Sequence, residues 1–533
     1  MFRVNYQKIL IFFAILGAIC TTYYIFNYGI IFHSDSATAN LLAREQLKER
    51  SFFPENWIYA QDIWIVFINN LIMPLSFLVK NQILLRSITI FIQSVALISL
   101  IYYFCKRFIS SDTSFLVISI ILSGVSTLFL EMVFGQGPYG NTALWEFSSI
   151  LLFSMLLMSN NKKKNNIIST IFLIMLVILN SMGSRYLLTL NVPLISIIIY
   201  LYLFTEQNKK KLLRLLVINC FSIVIGLIFF RMIRGYVNFS VGNANLSFVS
   251  MEQVIENIKS YIFGYMDVYG ALAPNGHKMI SLLGIFVAYR FILFLVFYLL
   301  PIIKWRFYIN HNNIVVRIVY IFYISSFIAN SFIFIFGSVS VNMSSIRYFI
   351  PVMFIGIVLF SVFFFEVIGK VSNKLKIVCF ISIIPFFISS YVFHNMTNFI
   401  EYDNGSIVLK ENQTEKLIHF LEDNNLEFGF ATYWNSGVVS VLSDFQNEIA
   451  AINIVDGSIE PFLWLSSKRW YKPEYHEGKT FLMLDDSELS QLDTQKLKSA
   501  IGDPIEMKKF NNYNILVYSY NIATKLDGFI KIN

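Results

Sequence analysis

The sequence predicts a polytopic α-helical membrane protein of about eleven spans, followed by a C-terminal extracytoplasmic domain of α/β or α+β type. Three observations predict it. Of 533 residues, 56% are hydrophobic and only 14% charged, against about 25% charged in soluble domains, and the mean hydropathy is +0.62. Long apolar runs recur along the first three quarters of the chain, separated by short lysine-rich loops. Hydrophobicity then falls after His394.

Runs long enough to cross a bilayer, roughly 17–25 residues, lie at 9–32, 86–104, 114–131, 143–159, 167–184, 186–204, 212–232, 280–302, 313–337, 348–368 and 377–394. The first has a basic start but no small-residue cleavage site, so it reads as a retained span. Lys162–Lys163–Lys164, Lys209–Lys210–Lys211, Lys304 with Arg306, and Lys370, Lys374 and Lys376 can all be cytoplasmic if each run crosses once, which also places Arg3, Lys8, Lys106 and Arg107 inside. The apolar stretch 63–79 contains Asn69, Asn70 and Pro74. If it crossed, every later lysine group would move outside, so it is predicted to lie in the outer interface. This leaves Lys80 and Arg86 outside. The expected location is the cytoplasmic membrane, with the N-terminus inside and the C-terminal domain outside.

The predicted division is a transmembrane domain over 1–394, with a long first outer loop at 33–86, and a soluble domain over 395–533. Two further outer loops fall at 131–140 and 234–278. In the soluble domain, 411–424 and 487–500 have helical periodicity, and 428–433, 480–484 and 514–520 read as strands. The net charge of +8 resides in loops between apolar runs, which argues for membrane sidedness and against a nucleic-acid partner. Four scattered cysteines and six isolated histidines supply no metal-ligand spacing and no disulfide framework.

Chemistry-bearing residues gather in the predicted outer loops. The first span ends at Phe32 and is followed by His33-Ser34-Asp35-Ser36. A carboxylate at the boundary of lipid and water suits a substrate with a polar head and a lipid tail, and can take a proton from an attacking hydroxyl within hydrogen-bond reach. The competing reading is a helix cap. Asp62 reads more simply as the cap of the interfacial helix. The second loop holds Glu131 and Gly135-Gln136-Gly137-Pro138-Tyr139-Gly140, a turn composition that brings backbone amides near a ligand. Glu131 and Glu146 flank it, and either can supply a second acid. Arg347-Tyr348, with Pro351 close behind, opens a late span, and an arginine fork there can hold a phosphate. Arg185-Tyr186 repeats the pattern and reads more simply as interfacial anchoring. Arg290 falls midway along its run, where a charge costs roughly 2.5–3.5 kcal/mol. Either it faces a wet cavity or 280–289 lies partly in the interface.

This arrangement resembles the GT-C class of integral-membrane glycosyltransferases. The matching features are Asp35 in the first outer loop, the interfacial stretch 63–79, the Gly-Gln-Gly-Pro-Tyr-Gly loop, the late Arg347-Tyr348 with Pro351, and a tail with Tyr433-Trp434-Asn435-Ser436, Trp464 and Trp470-Tyr471. The resemblance implies Asp35 as general base, with Glu131 as a second acid offset from the family's fuller motif. It implies Arg347 on the donor phosphate, with His33, Tyr348, Tyr139 and Arg185 at the substrate. The implied donor is a sugar on a polyprenyl-phosphate carrier, the acceptor a cell-surface glycan or lipid-linked acceptor, and the stereochemical outcome inversion. A divalent cation is allowed for, and no other cofactor is implied. The remaining readings are a lipid-linked glycan polymerase or ligase, a transporter or flippase, and a non-catalytic surface protein.

Overall fold

The computed structural model describes residues 6–240, 247–272, 278, 280–395, 398–403 and 406–530. They form two compact units, each built from three separate stretches of chain: 1–25, 90–230 and 245–408 in one; 26–89, 231–244 and 409–533 in the other.

The first unit is helical. Among the described residues of the chain, nine helices are long and apolar enough to cross a bilayer, from Tyr6–Ile31 to Met343–Lys370. A tenth counts if Ser111–Leu122 and Thr127–Gly135 form one span, because these two meet at 98°. The eleven expected runs are therefore present as apolar helix, but two are not simple spans. The run 114–131 breaks where Gly124 takes φ +68° and the Ser126 side chain caps a new helix, a conformation and a cap that both end a straight helix. The last run is helix Asn373–Ser389 continuing into a π-helical turn Ser390–Asn395, and its apolar stretch Phe380–Val392 is shorter than a span.

Arg290 lies in the first unit and is 1% exposed, so it does not face a wet cavity. Its Nε donates to Ser389 Oγ at 2.8 Å, and Nη2 to Phe386 O at 3.2 Å and Ser390 Oγ at 2.5 Å. Its Nη1 donates to Tyr269 O at 3.2 Å and to Val125 O, in the break between the two bent helices. The guanidinium also stands 4.6 Å above the Phe386 ring. All five donors of the fork are used, so the charge is satisfied by carbonyls and hydroxyls rather than by water.

The second unit centres on a six-stranded sheet. Its order is Glu506–Phe510, Tyr513–Tyr518, Thr480–Asp485, Phe428–Thr432, Glu448–Val455, Ser458–Pro461. Phe428–Thr432 is parallel to both of its neighbours, and the two outer pairings are antiparallel. The near-continuous apolar runs of Phe428–Thr432 and Thr480–Asp485 are what strands covered on both faces require. The expected helix 487–500 is two helices, Asp486–Gln491 and Thr494–Ile501, because Asp493 caps the second by accepting from the amides of Gln495 and Lys496. Within 63–79, α-helix is confined to Asn69–Leu75, with Ile68 at its N-cap. Asp62 is therefore too far upstream to cap it.

Helix Ser34–Glu49, in the loop after the first span, belongs to this same unit and is buried along most of its length. Glu45 is 0% exposed. Its carboxylate accepts from Arg469 Nη2 at 2.8 and 2.9 Å and from Ser467 Oγ at 2.9 Å. The preceding residue, Arg44, pairs with Glu448 and packs 3.9 Å over the Phe445 ring. Trp57–Tyr59, also from the first loop, pairs with Asn238–Phe239 on one side and Ser466–Ser467 on the other.

Candidate functional site

Two clusters carry the residues singled out in the sequence. Asp35 and His33 fall in the second unit; Glu131, Tyr139, Arg185, Arg347 and Tyr348 fall in the first.

The Asp35 cluster is built by a change of backbone at the end of the first span. The helix Tyr6–Asn27 tightens into a 3₁₀ turn at Tyr28–Ile31, the chain extends at Phe32 and His33, and a new helix begins at Ser34. His33 occupies the N-cap without a side-chain cap bond. Asp35 lies inside the first turn, where a negative charge is favoured by the helix dipole, and it is not the cap. Instead the Tyr433 hydroxyl donates to Asp35 Oδ1 at 2.6 Å. The Tyr28 hydroxyl sits 2.8 Å from Ser36 Oγ and 3.4 Å from His33 Nε2. Ser34 Oγ donates to the Trp434 carbonyl at 3.1 Å and accepts from the Val438 amide at 3.3 Å, locking two helix starts together. The Tyr433 ring is edged by Trp434, Phe462 and Trp464 at 5.3, 5.2 and 5.3 Å. Trp434 is 60% exposed. A half-buried carboxylate thus stands against an aromatic wall that opens to solvent.

The pairing of Asp35 with Tyr433 was not visible in the sequence, since 398 positions separate them. Arg86 is a second omission. Read only as a charge left on the outer side, it is 3% exposed, with its guanidinium 5.6 Å over the Phe32 ring. A cation therefore lies beside the residue that precedes His33.

The second cluster is basic and aromatic. Arg347 rides on the 3₁₀ turn Met343–Phe349, which is fixed by a reciprocal cap between Asn342 and Ser345 and runs directly into helix Ile350–Lys370. Arg347 hydrogen-bonds the Tyr139 hydroxyl, and Arg185 is close enough to act on the same group. The Tyr139 and Tyr348 rings meet edge to face at 6.0 Å. Tyr139 reaches this position because Gly137, at φ +86°, turns the chain into helix Pro138–Met158. Gln93 Nε2 steadies that turn through the Gly137 carbonyl at 2.8 Å. Four residues chosen separately in the sequence are thus gathered in one place. Glu131 opens the π-helical turn Glu131–Gly135, and its Oε1 accepts from Gln136 Nε2 at 3.1 Å. Glu146 does not flank the loop. It lies within helix Pro138–Met158, 1% exposed. The helix starts at Pro138, before the expected run begins. Two guanidiniums with two phenols can hold an anionic oxygen by charge-assisted hydrogen bonds.

Among the described residues, no group of three or more His, Cys, Asp or Glu side chains could hold a metal ion. The partners recorded around Asp35 are hydroxyls and aromatic rings, a donor set unlike that of a divalent-cation site.

No protein-family model matches this chain, and no curated protein matches it. Solved structures do. The apo form of the oligosaccharyltransferase from Archaeoglobus fulgidus superposes with a TM-score of 0.51 at 10% identity, covering 89% of this chain and 69% of that one. The same enzyme in complex with zinc and sulfate gives 0.49 at 11% identity, over 89% and 68%. As AglB in complex with an inhibitory peptide and a dolichol-phosphate it gives 0.48 at 10% identity, over 89% and 69%. The chain shares the fold of this archaeal enzyme, in agreement with the GT-C resemblance read from the sequence. It is a multi-pass membrane protein with a C-terminal domain built on a sheet.

Proposed function

We propose that this chain is a membrane glycosyltransferase. It moves a sugar from a polyprenyl-phosphate carrier to a hydroxyl of a cell-surface glycan or related acceptor, on the outer face of the cytoplasmic membrane. The observation that carries the reading is the Asp35 carboxylate, held at 2.6 Å by the Tyr433 hydroxyl in the first turn of the helix that follows the first span. The fold shared with the apo archaeal oligosaccharyltransferase supports it.

In this mechanism Asp35 takes the proton from the acceptor hydroxyl as that oxygen attacks the anomeric carbon, and the configuration inverts. Tyr433 holds Asp35 oriented, and His33, at the cap of the same helix, is assigned to the substrate. The bond from the anomeric carbon to the carrier phosphate breaks, and the phosphate leaves with the electron pair. By the GT-C resemblance, Arg347 is assigned to the carrier phosphate, with Arg185, Tyr139 and Tyr348 beside it. The leaving group is already an anion, so it needs positive charge more than a proton. Glu131 is the second acid beside the Gly137 turn. No step is routed through a metal.

The test is Asp35→Asn in membranes supplied with lipid-linked sugar. Loss of a general base should lower transfer by at least ~100-fold, with inserted protein unchanged. Wild-type transfer by this variant removes Asp35 from the mechanism.

A further inference from the structure

Helix Met251–Val268 lies in what the sequence presents as the third outer loop, and it has a face that neither the fold nor the chemistry above uses. Its inner side is committed. Asn257 Nδ2 donates to the carbonyls of Ile335 at 3.0 Å and Gly337 at 3.4 Å, at the end of span Ile314–Phe336. Gly264 lies so close to the turn Met343–Phe349 that an added Cβ would stand 2.8 Å from Met343 O and 2.7 Å from Ile346 Cβ. The rings of Tyr261 and Tyr265 lie 5.5 and 5.1 Å from that of Phe349.

The outer side divides into two stripes. Met251, Ile255, Ile258 and Ile262 are 75, 52, 41 and 50% exposed, and their spacing puts them in one row along the helix. Beside them run Glu252, Glu256 and Lys259, the last two paired at 2.7 Å. A helix with one side on protein, one apolar stripe and one charged stripe matches the boundary between acyl chains and water. Its attachments agree, since Asn257 ties it to the end of one span and Gly264 to the start of the next.

We propose that Met251–Val268 is a membrane-surface helix whose row Met251, Ile255, Ile258 and Ile262 is immersed in lipid acyl chains, and that it thereby sets the depth of the Arg347 turn packed on its other side. The immersion stands on geometry alone. The depth-setting role rests on the assignment of Arg347 to the donor phosphate. The phosphate of a lipid-borne donor lies at headgroup level, and the turn that carries Arg347 is seated directly on this helix.

The experiment places single spin labels through Glu252→Cys, Ile255→Cys, Glu256→Cys, Ile258→Cys and Ile262→Cys. The full chain, with its native cysteines replaced by serine, is reconstituted in phosphatidylethanolamine–phosphatidylglycerol vesicles. Collision with oxygen, which concentrates in acyl chains, is compared with collision with a water-soluble nickel chelate. The ratio should favour oxygen by about fivefold or more at 255, 258 and 262 over 252 and 256, as membrane immersion of one stripe requires. Equal ratios at all five positions overturn the proposal. So does exclusion of both reagents at 255, 258 and 262, the mark of a protein partner. For the depth-setting role, Ile255→Glu should raise KM for the lipid donor about tenfold with kcat little changed, the pattern of lost ground-state binding. An unchanged KM alongside the expected oxygen pattern overturns that role and leaves the immersion standing. Loss of donor binding in Arg347→Gln tests the phosphate assignment separately.

Discussion

At the scale of single residues, the recorded partner of the Asp35 carboxylate is the Tyr433 hydroxyl. Tyr433→Phe removes that donor but keeps the ring edged by Trp434, Phe462 and Trp464. A hydrogen bond to a charged group contributes about 1.5–3 kcal/mol, so kcat should fall roughly tenfold or more, with the protein still folded. Steady-state transfer assays comparing kcat and KM check this, and an unchanged kcat would show that Tyr433 leaves Asp35 indifferent. Gly264→Ala should push the Arg347 turn outward, because the new methyl meets a backbone oxygen. Overpacking of this kind costs about 1–3 kcal/mol, to be read as a lower unfolding midpoint in detergent. Asp35 and His33 were legible in the sequence because a polar group straight after a long apolar run is conspicuous. Tyr433 was not, because no local pattern links residues so far apart. Arg347 with Tyr348, Arg185, and Tyr139 were noticed in three separate places, two span starts and a loop, but their meeting is a product of helix packing.

At the scale of elements, the helix carrying Asp35 is clamped near its far end. Glu45 is fully buried and bonded to both Arg469 and Ser467. Removing one partner of such a pair strands a buried charge, so Arg469→Ala should destabilise this unit by ~3–5 kcal/mol, measurable by chemical denaturation. Glu448 adds a pH dependence. Burial pushes its carboxyl up, but the charges of Arg44 and Lys48 and hydrogen bonds from Tyr475 and Arg44 outweigh that, and the net shift is downward. A depressed folded-state value means the stabilisation is complete above the ordinary glutamate range, near 4.3, and is lost as pH falls through the folded value. Denaturation midpoints should therefore drop on acidification below about pH 4.5, and Glu448→Gln should flatten that limb. Most helices and three of the four inner strands were legible from periodicity; the inner strand Glu448–Val455 was not predicted. Met251–Val268 was not, because three stripes of different polarity average to an unremarkable hydropathy. The break at Gly124 was hidden for the opposite reason: apolar residues flank it on both sides, and composition alone cannot show a positive φ.

At the scale of the whole molecule, the proposed sidedness predicts that a reporter fused after Asn533 is active outside the cytoplasm and one near Lys163 inside. Reversed activities would mean that the stretch 63–79 crosses. The apolar helices were readable because long apolar runs recur between short polar loops. The assembly of each compact unit was not readable, because each draws on three distant stretches of chain and contacts between them leave no periodic trace. The knot around Arg290 shows what such assembly demands during synthesis. The acceptors for its guanidinium come from both directions along the chain: Val125 and Tyr269 precede it, whereas Phe386, Ser389 and Ser390 follow about a hundred residues later. When helix Leu282–Ile303 leaves the ribosome, part of its arginine's cradle has not yet been translated. Its guanidinium has a full set of acceptors only once the segment through Ser390 has been made. Its final burial is therefore a late, post-insertion event in the biogenesis of the membrane body.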